Sequence, residues 1–132
     1  MIDQQRRAEL YLSFAGVFHR PTPAVSRHLE EFIDLWEETI PAIDREIKDL
    51  REFLEKHPEP ERRLEALWEH YIPLFETGKV EAVPFASVHL NPEGQVMGEE
   101  ALAVSRFYRR AGYDIAQGAD QLPDHVAVEL EF

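Results

Sequence analysis

Apolar residues recur at helical spacing from the start of the chain. Leu10, Phe14, Val17 and Phe18 fall at i, i+4, i+7 and i+8, which predicts an amphipathic helix over residues 4–19, ended by His19-Arg20-Pro21. Thr22-Pro23 reads as an N-cap with proline at the first helical position, and Leu29, Phe32, Ile33 and Trp36 form the next stripe. Thr39 and Pro41 mark a third start. Ile43, Ile47, Leu50 and Leu54 share one face of that helix, while Asp44, Glu46, Lys48, Asp49, Arg51, Glu52 and Glu55 occupy the others. Pro58-Glu59-Pro60-Glu61 then breaks the chain and sets acids where a helix macrodipole favours them. A fourth helix follows from Leu64, Leu67, Trp68, Tyr71, Ile72 and Phe75. Pro73 inside it predicts a kink, or a hydrogen-bond ladder shortened about one turn before Gly78.

Residues 78–98 carry Val80, Val83, Pro84, Phe85, Val88, Leu90 and Val96 without a 3.6-residue period, so a long apolar loop packed on the helices is expected. Asn91-Pro92-Glu93-Gly94 within it fits a type I turn. Gly98-Glu99-Glu100 opens a fifth helix with Ala101, Val104, Tyr108 and Ala111 as its buried stripe, Arg106, Arg109 and Arg110 outside, and Gly112 as its close. Residues 113–122 read as a polar connection. Pro123 begins a sixth helix that Asp124 can N-cap, with Val126, Ala127 and Leu130 on one face. The result is an all-α single domain over residues 1–132, of about six helices and one long apolar loop. Its last helix stops soon after it starts, as in a fragment or a protomer whose last helix has partners elsewhere.

Composition narrows the function classes. Twenty-six acidic residues against fourteen basic ones give a net charge of −12, which repels nucleic acid and attracts cationic partners. Residues 67–132 hold four basic and eleven acidic residues, so a basic peptide is drawn there more than to residues 1–66, with ten and fifteen. Cysteine is absent, which removes thiol nucleophiles and cysteine-ligated metals and suits a reducing cytoplasm. Arg6-Arg7 before an apolar run superficially resembles a twin-arginine export signal. Glu9 interrupts that run, His19-Arg20 ends it and no small-residue cleavage site follows, so it reads as the first helix. No run is long enough for a membrane span.

Candidate chemistry is sparse. Asp124-His125 at a helix start could transfer a proton or bind a metal, but adjacent helical residues diverge, and an N-capping aspartate followed by an exposed or capping histidine is the reading put first. His57, His70, His89 and His125 lack HExxH or i, i+4 pairing, so no metal site is expected. Gly94 and Gly98 lack the lysine and hydroxyl of a phosphate loop. Trp68, Tyr71, Leu74 and Phe75 could line a groove for an apolar helix or belong to the core. Glu99 and Glu100 are first-turn acids that could also meet a basic ligand.

Three motifs in order resemble the TorD/DmsD/NarJ superfamily of redox-enzyme maturation chaperones. Tyr71-Ile72-Pro73-Leu74-Phe75 is similar to its Y-x-x-L-F. Val83-Pro84-Phe85-Ala86-Ser87-Val88-His89-Leu90 with Met97-Gly98-Glu99 is similar to its P-P-Y-E-S-V-Y-L loop and M-G-E. Phe107-Tyr108-Arg109-Arg110-Ala111-Gly112 matches F-Y-x-x-A-G, and Leu122-Pro123-Asp124-His125-Val126-Ala127-Val128-Glu129-Leu130-Glu131-Phe132 closely resembles x-P-D-H-[IL]-x-x-x-L-x-F-[ML], with Val126 at the [IL] position. The motifs cover residues about 64–132; the N-terminal helices match by pattern alone. Val83, Phe85, Ala86 and His89 depart from the family's Pro, Tyr, Glu and Tyr, which removes that carboxylate and those hydroxyls.

The resemblance implies a non-enzymatic cytoplasmic chaperone that binds the N-terminal leader of a molybdenum enzyme's apo catalytic subunit and assists cofactor insertion before export. It implies a leader-binding region at Tyr71, Leu74, Phe75, Pro84, Phe85, Ser87, Gly98, Glu99, Asp124 and His125, with Asp124 favouring leader arginines and Phe75 and Phe85 its apolar part. No cofactor of the chain's own is implied, and nucleotide binding has only family analogy behind it, without a motif. Helices are expected to follow Phe132, and exposed Val126, Leu130 and Phe132 would favour a homodimer with helix exchange. A helical interaction module with another client, and a small metal-dependent hydrolase using Asp124 and His125, are the competing classes.

Overall fold

The structure, a computed structural model, describes residues 1–77, 83–117 and 121–132. Among these, seven α-helices run in order: α1 (Gln4–Phe18), α2 (Pro23–Thr39), α3 (Asp44–Lys56), α4 (Pro60–Tyr71), α5 (Ala86–Leu90), α6 (Glu99–Arg110) and α7 (Val126–Glu131). The expected loop over 78–98 and connection over 113–122 fall partly on residues 78–82 and 118–120, which lie outside the described residues.

The N-terminal stripes meet as their periods predict. Helix α2 touches α1, α3 and α4, and Leu10, Leu29, Ile33, Trp36 and Ile47 form the buried core between them. Phe14 stacks on Trp36 with ring centroids 4.6 Å apart. The buried indole still needs an acceptor: Trp36 Nε1 donates to Ser13 Oγ at 2.7 Å, and Ser13 Oγ donates to Leu10 O at 2.7 Å. Thr22 caps α2 as expected, its Oγ1 accepting from Val25 N–H. Thr39 caps nothing, being the last residue of α2. Pro41–Ile43 forms a 3₁₀ turn, and α3 begins at Asp44.

Arg63 closes the α2–α4 contact from inside. Only 6% exposed, it donates Nε to His57 O, Nη1 to Ser26 O and Nη2 to Pro58 O at 2.8–3.0 Å, so its fork collects the carbonyls of the α3 C-cap and the proline-broken turn and adds a second donor to a carbonyl in the first turn of α2. Pro73 acts as expected. Lacking an N–H, it cannot continue the α-helical ladder, which ends at Tyr71 and widens into a π-helical turn at Ile72–Glu76.

The expectation of an aperiodic loop through residue 98 needs correction, because Ala86–Leu90 is helical. Five residues make little more than one turn, too few to display a period, and α5 is held by packing on α6 and by partners distant in sequence. The turn at Asn91–Gly94 closes with Gly94 N–H on Asn91 O at 3.0 Å. Gly112 ends α6 at φ +85°, a left-handed conformation that glycine adopts at little cost. Of the predicted α6 stripe, Ala101 and Tyr108 are buried and Val104 is half-buried, but Ala111 is exposed. It lies beyond the last helical turn, where the stripe no longer faces the core. The last helix starts at Val126 rather than Pro123 and lies along α1. That contact half-buries Val126 and Leu130, which the sequence suggested as exposed, and leaves Phe132 48% exposed.

Candidate functional site

Two segments 37 positions apart splice together at the end of the bundle. Phe85 and His125 oppose each other in an antiparallel bridge, with Ala86 N–H on Asp124 O at 3.1 Å and Val126 N–H on Pro84 O at 2.8 Å. Asp124 side-chain Oδ2 accepts from Ser87 N–H at 2.7 Å. Asp124 therefore caps a helix, but not the one expected. It supplies α5, whose own N-cap Phe85 has no side-chain oxygen to give, while α7 is capped by His125, whose Nδ1 accepts from Ala127 N–H at 3.1 Å. Local spacing favours the aspartate for α7; the tertiary pairing turns it toward α5 instead.

Both members of the pair are buried, each 1% exposed. Burial, with the neighbouring His19, holds the His125 imidazole down at about 4, against weaker upward pulls from Asp124 and Glu131. An Nδ1 that accepts a hydrogen bond also has no room for a proton. His19 stacks on His125 at 6.0 Å and its Nε2 lies 2.8 Å from Glu131 Oε1, tying the end of α1 to α7. Tyr108 donates its hydroxyl to Pro123 O at 3.0 Å, and burial, then Glu129 and Asp124, push it up to about 12. It is a fixed donor under the Asp124 segment.

Phe75 and Phe85 stand at this splice between two clefts. Tyr71 and Phe75 pack ring on ring at 4.9 Å, Phe18 meets Phe75 edge-on at 6.3 Å, and Phe85 meets His125 edge-on at 5.0 Å. On one side a cleft of about 300 Å³ runs past Tyr71, Phe75, Phe85 and His125, with the Arg20–Glu76 ion pair at its rim. On the other, a cleft of about 330 Å³ has walls of Phe18, Phe75, Phe85 and Val126 and two carboxylates, Asp124 and Glu129. Burial, then Asp124, raise Glu129 above the usual carboxylate range. Asp124 Oδ1 has no hydrogen-bond partner among the described residues. Among the described residues no lysine or arginine lines this second cleft, which pairs apolar walls with the two carboxylates and the His89 ring.

The residues suggested by sequence therefore divide. Tyr71, Phe75, Pro84, Phe85, Asp124 and His125 come together at the clefts. Leu74 points outward beside them, 38% exposed, and Ser87 is fully buried behind them, its Oγ without a partner among the described residues. Gly98 and Glu99 line neither cleft. A Cβ on Gly98 would stand 2.8 Å from Glu100 Oε2 and 3.0 Å from Asn91 Nδ2, so packing explains that glycine, and exposed Glu99 pairs with Arg106. Phe18, Arg20, Glu76 and Glu129 were missed. Phe18 reads as a core position of α1, and nothing in their spacing marks the other three. Among the described residues no three His, Cys, Asp or Glu side chains gather as a metal site requires, and no helix is long and apolar enough to cross a membrane.

A family model described as nitrate reductase delta subunit matches residues 37–132. The fold matches the crystal structure of a protein from Archaeoglobus fulgidus described as a candidate redox enzyme maturation protein. The TM-score is 0.65 with 26% identity, over 99% of this chain and 71% of that one. Among curated proteins, none matches closely enough to count as a relative.

Proposed function

Because the chain belongs to the nitrate reductase delta subunit family, a family of non-enzymatic NarJ/TorD-type maturation chaperones that partner a molybdoenzyme subunit, we propose that it binds the N-terminal leader of its client's catalytic subunit at the Phe75–Phe85 clefts. In this reading it acts in the cytoplasm and keeps the apo-subunit back until the molybdenum cofactor is inserted. The observation that carries it is the cleft where apolar walls meet Asp124 and Glu129. A leader that joins arginines to an apolar helix-forming stretch presents the complementary chemistry: rings and aliphatic carbons for Phe18, Phe75 and Phe85, and a guanidinium for carboxylates that already repel one another. A bound guanidinium would relieve that repulsion.

The test is titration calorimetry of the whole protein with leader peptides of molybdoenzymes encoded beside it. Binding by one of them is expected, with Asp124→Asn weakening an arginine leader more than the same leader carrying lysines, because a lysine cannot bridge two carboxylates with a planar fork. Equal losses would remove Asp124 from the recognition of arginine. Failure of every leader to bind would overturn the reading.

A further inference from the structure

Helix α1 is apolar on two sides. Leu10, Phe14 and Val17 face the core, yet Leu12 on the opposite side is 55% exposed and lines a groove of about 540 Å³ between α1 and α2. Its floor continues through Phe32 and Leu35, which are half-buried and reach the core from α2. Helix α1 already packs on α2 and α7, and Leu12 is the apolar side chain that it adds to this groove. The rim decides what fits there. Asp34 and Glu38 are held by Arg51 and Arg6, whereas among the described residues Glu9 meets the Gln5 amide and Glu31 the His28 ring, so the groove keeps net negative charge over an apolar floor.

We propose that the α1–α2 groove is a second docking surface, and that its occupant is a basic amphipathic helix that sets an apolar ridge on Leu12, Phe32 and Leu35 and turns lysines or arginines to Glu9 and Glu31. A second copy of this chain is a poor occupant, since two molecules of charge −12 repel and the groove would meet acids like its own. Two neighbouring helices present the ridge-lined trough into which a third helix packs. The groove uses none of the residues that line the Phe75–Phe85 clefts, so it goes beyond the leader-binding reading and stands or falls separately.

The experiment titrates the ¹⁵N-labelled protein with an amidated peptide of about 14 residues. Leucines at i, i+4 and i+7 alternate with lysine and arginine, and a control peptide of identical composition has the leucines scattered. The expected result is saturable binding with amide shifts centred on Leu12, Phe32 and Leu35. The scattered peptide should bind about tenfold more weakly, and Leu12→Asp and the double variant Glu9→Lys/Glu31→Lys should each lose about tenfold in affinity. Both variants change exposed side chains, and unchanged unfolding curves confirm that the fold is intact. Equal binding of the two peptides would reduce the effect to unspecific charge attraction and overturn the proposal. Shifts centred on Phe75 and Phe85 would overturn it too, while leaving the leader cleft in place.

Discussion

Removing the Asp124 side chain and removing only its charge should have separable consequences. Oδ2 accepts from Ser87 N–H at 2.7 Å in a fully buried setting, and this is the side-chain cap of α5. A hydrogen bond to a charged group contributes about 1.5–3 kcal/mol, and an orphaned buried N–H costs about 1–3 kcal/mol, overlapping terms that put Asp124→Ala at about 2–4 kcal/mol. Asp124→Asn keeps an oxygen for Ser87. It weakens that bond by losing the charge, but it also ends the burial of a carboxylate with a single hydrogen bond and the repulsion of Glu129. These changes oppose each other, so Asp124→Asn should stay within about 1 kcal/mol of the parent. Urea unfolding followed by the fluorescence of buried Trp36 measures both. If the asparagine variant is destabilised as much as the alanine one, the cap is not what Asp124 contributes and the reasoning fails.

Arg63→Leu should cost about 2–4 kcal/mol in the same urea experiment, since His57 O and Pro58 O lose their Arg63 donors at once and Ser26 O keeps only its place in the α2 ladder; a loss below about 1 kcal/mol would mean that water replaces the guanidinium without penalty. Gly98→Ala should cost no more than about 1 kcal/mol and leave leader affinity unchanged, because its Cβ meets only the ends of the Glu100 and Asn91 side chains and its φ of −81° is open to alanine; a fall in affinity at unchanged stability would return Gly98 to the binding site. With its folded pKa near 4 against an ordinary 6.5, His125 adds stability that is whole above pH 6.5 and lost as pH falls toward 4, with a slope of at most about 1.4 kcal/mol per pH unit, while Glu129, raised instead, acts with the opposite sign. The stability difference between the parent and His125→Gln should therefore shrink on acidification, and a difference flat with pH would refute the assignment.

The N-terminal helices were legible because each carries its own evidence. A stripe such as Leu29, Phe32, Ile33 and Trp36 and a cap such as Thr22 need nothing from elsewhere in the chain to be read. The interruption at Pro73 was legible for the same reason, since a missing N–H is a property of one residue. Helix α5 and the start of α7 were not legible from spacing, because what fixes them is each other. The motif resemblance named most of the cleft residues, among them Phe75, Phe85 and Asp124, but could not say that Asp124 caps α5 or that Ser87 is sealed behind it. Arg20, Glu76 and Glu129 join the site only through the packing of α1, the π-turn and α7.

That mutual dependence bears on how such a site can work. Helices of five and six residues do not hold in water by themselves, so α5 and α7 exist because Pro84 O takes the Val126 N–H and Asp124 takes the N–H groups of Ala86 and Ser87. The cleft wall that carries Phe85 is thus attached to the body of the protein through α7 as well as through the packing of α5 on α6, and α7 is attached through its packing on α1 and the His19–Glu131 contact. A ligand wedged between Phe75 and Phe85 touches both sides of this splice. It gains affinity by bridging them, and by the same linkage it stabilises the splice in proportion to how much more tightly it binds the joined state than the opened one. The core around Ile33 and Trp36 shares no residue with this splice, so the stabilisation that such a ligand would bring falls on the α5–α7 junction and not on the bundle core.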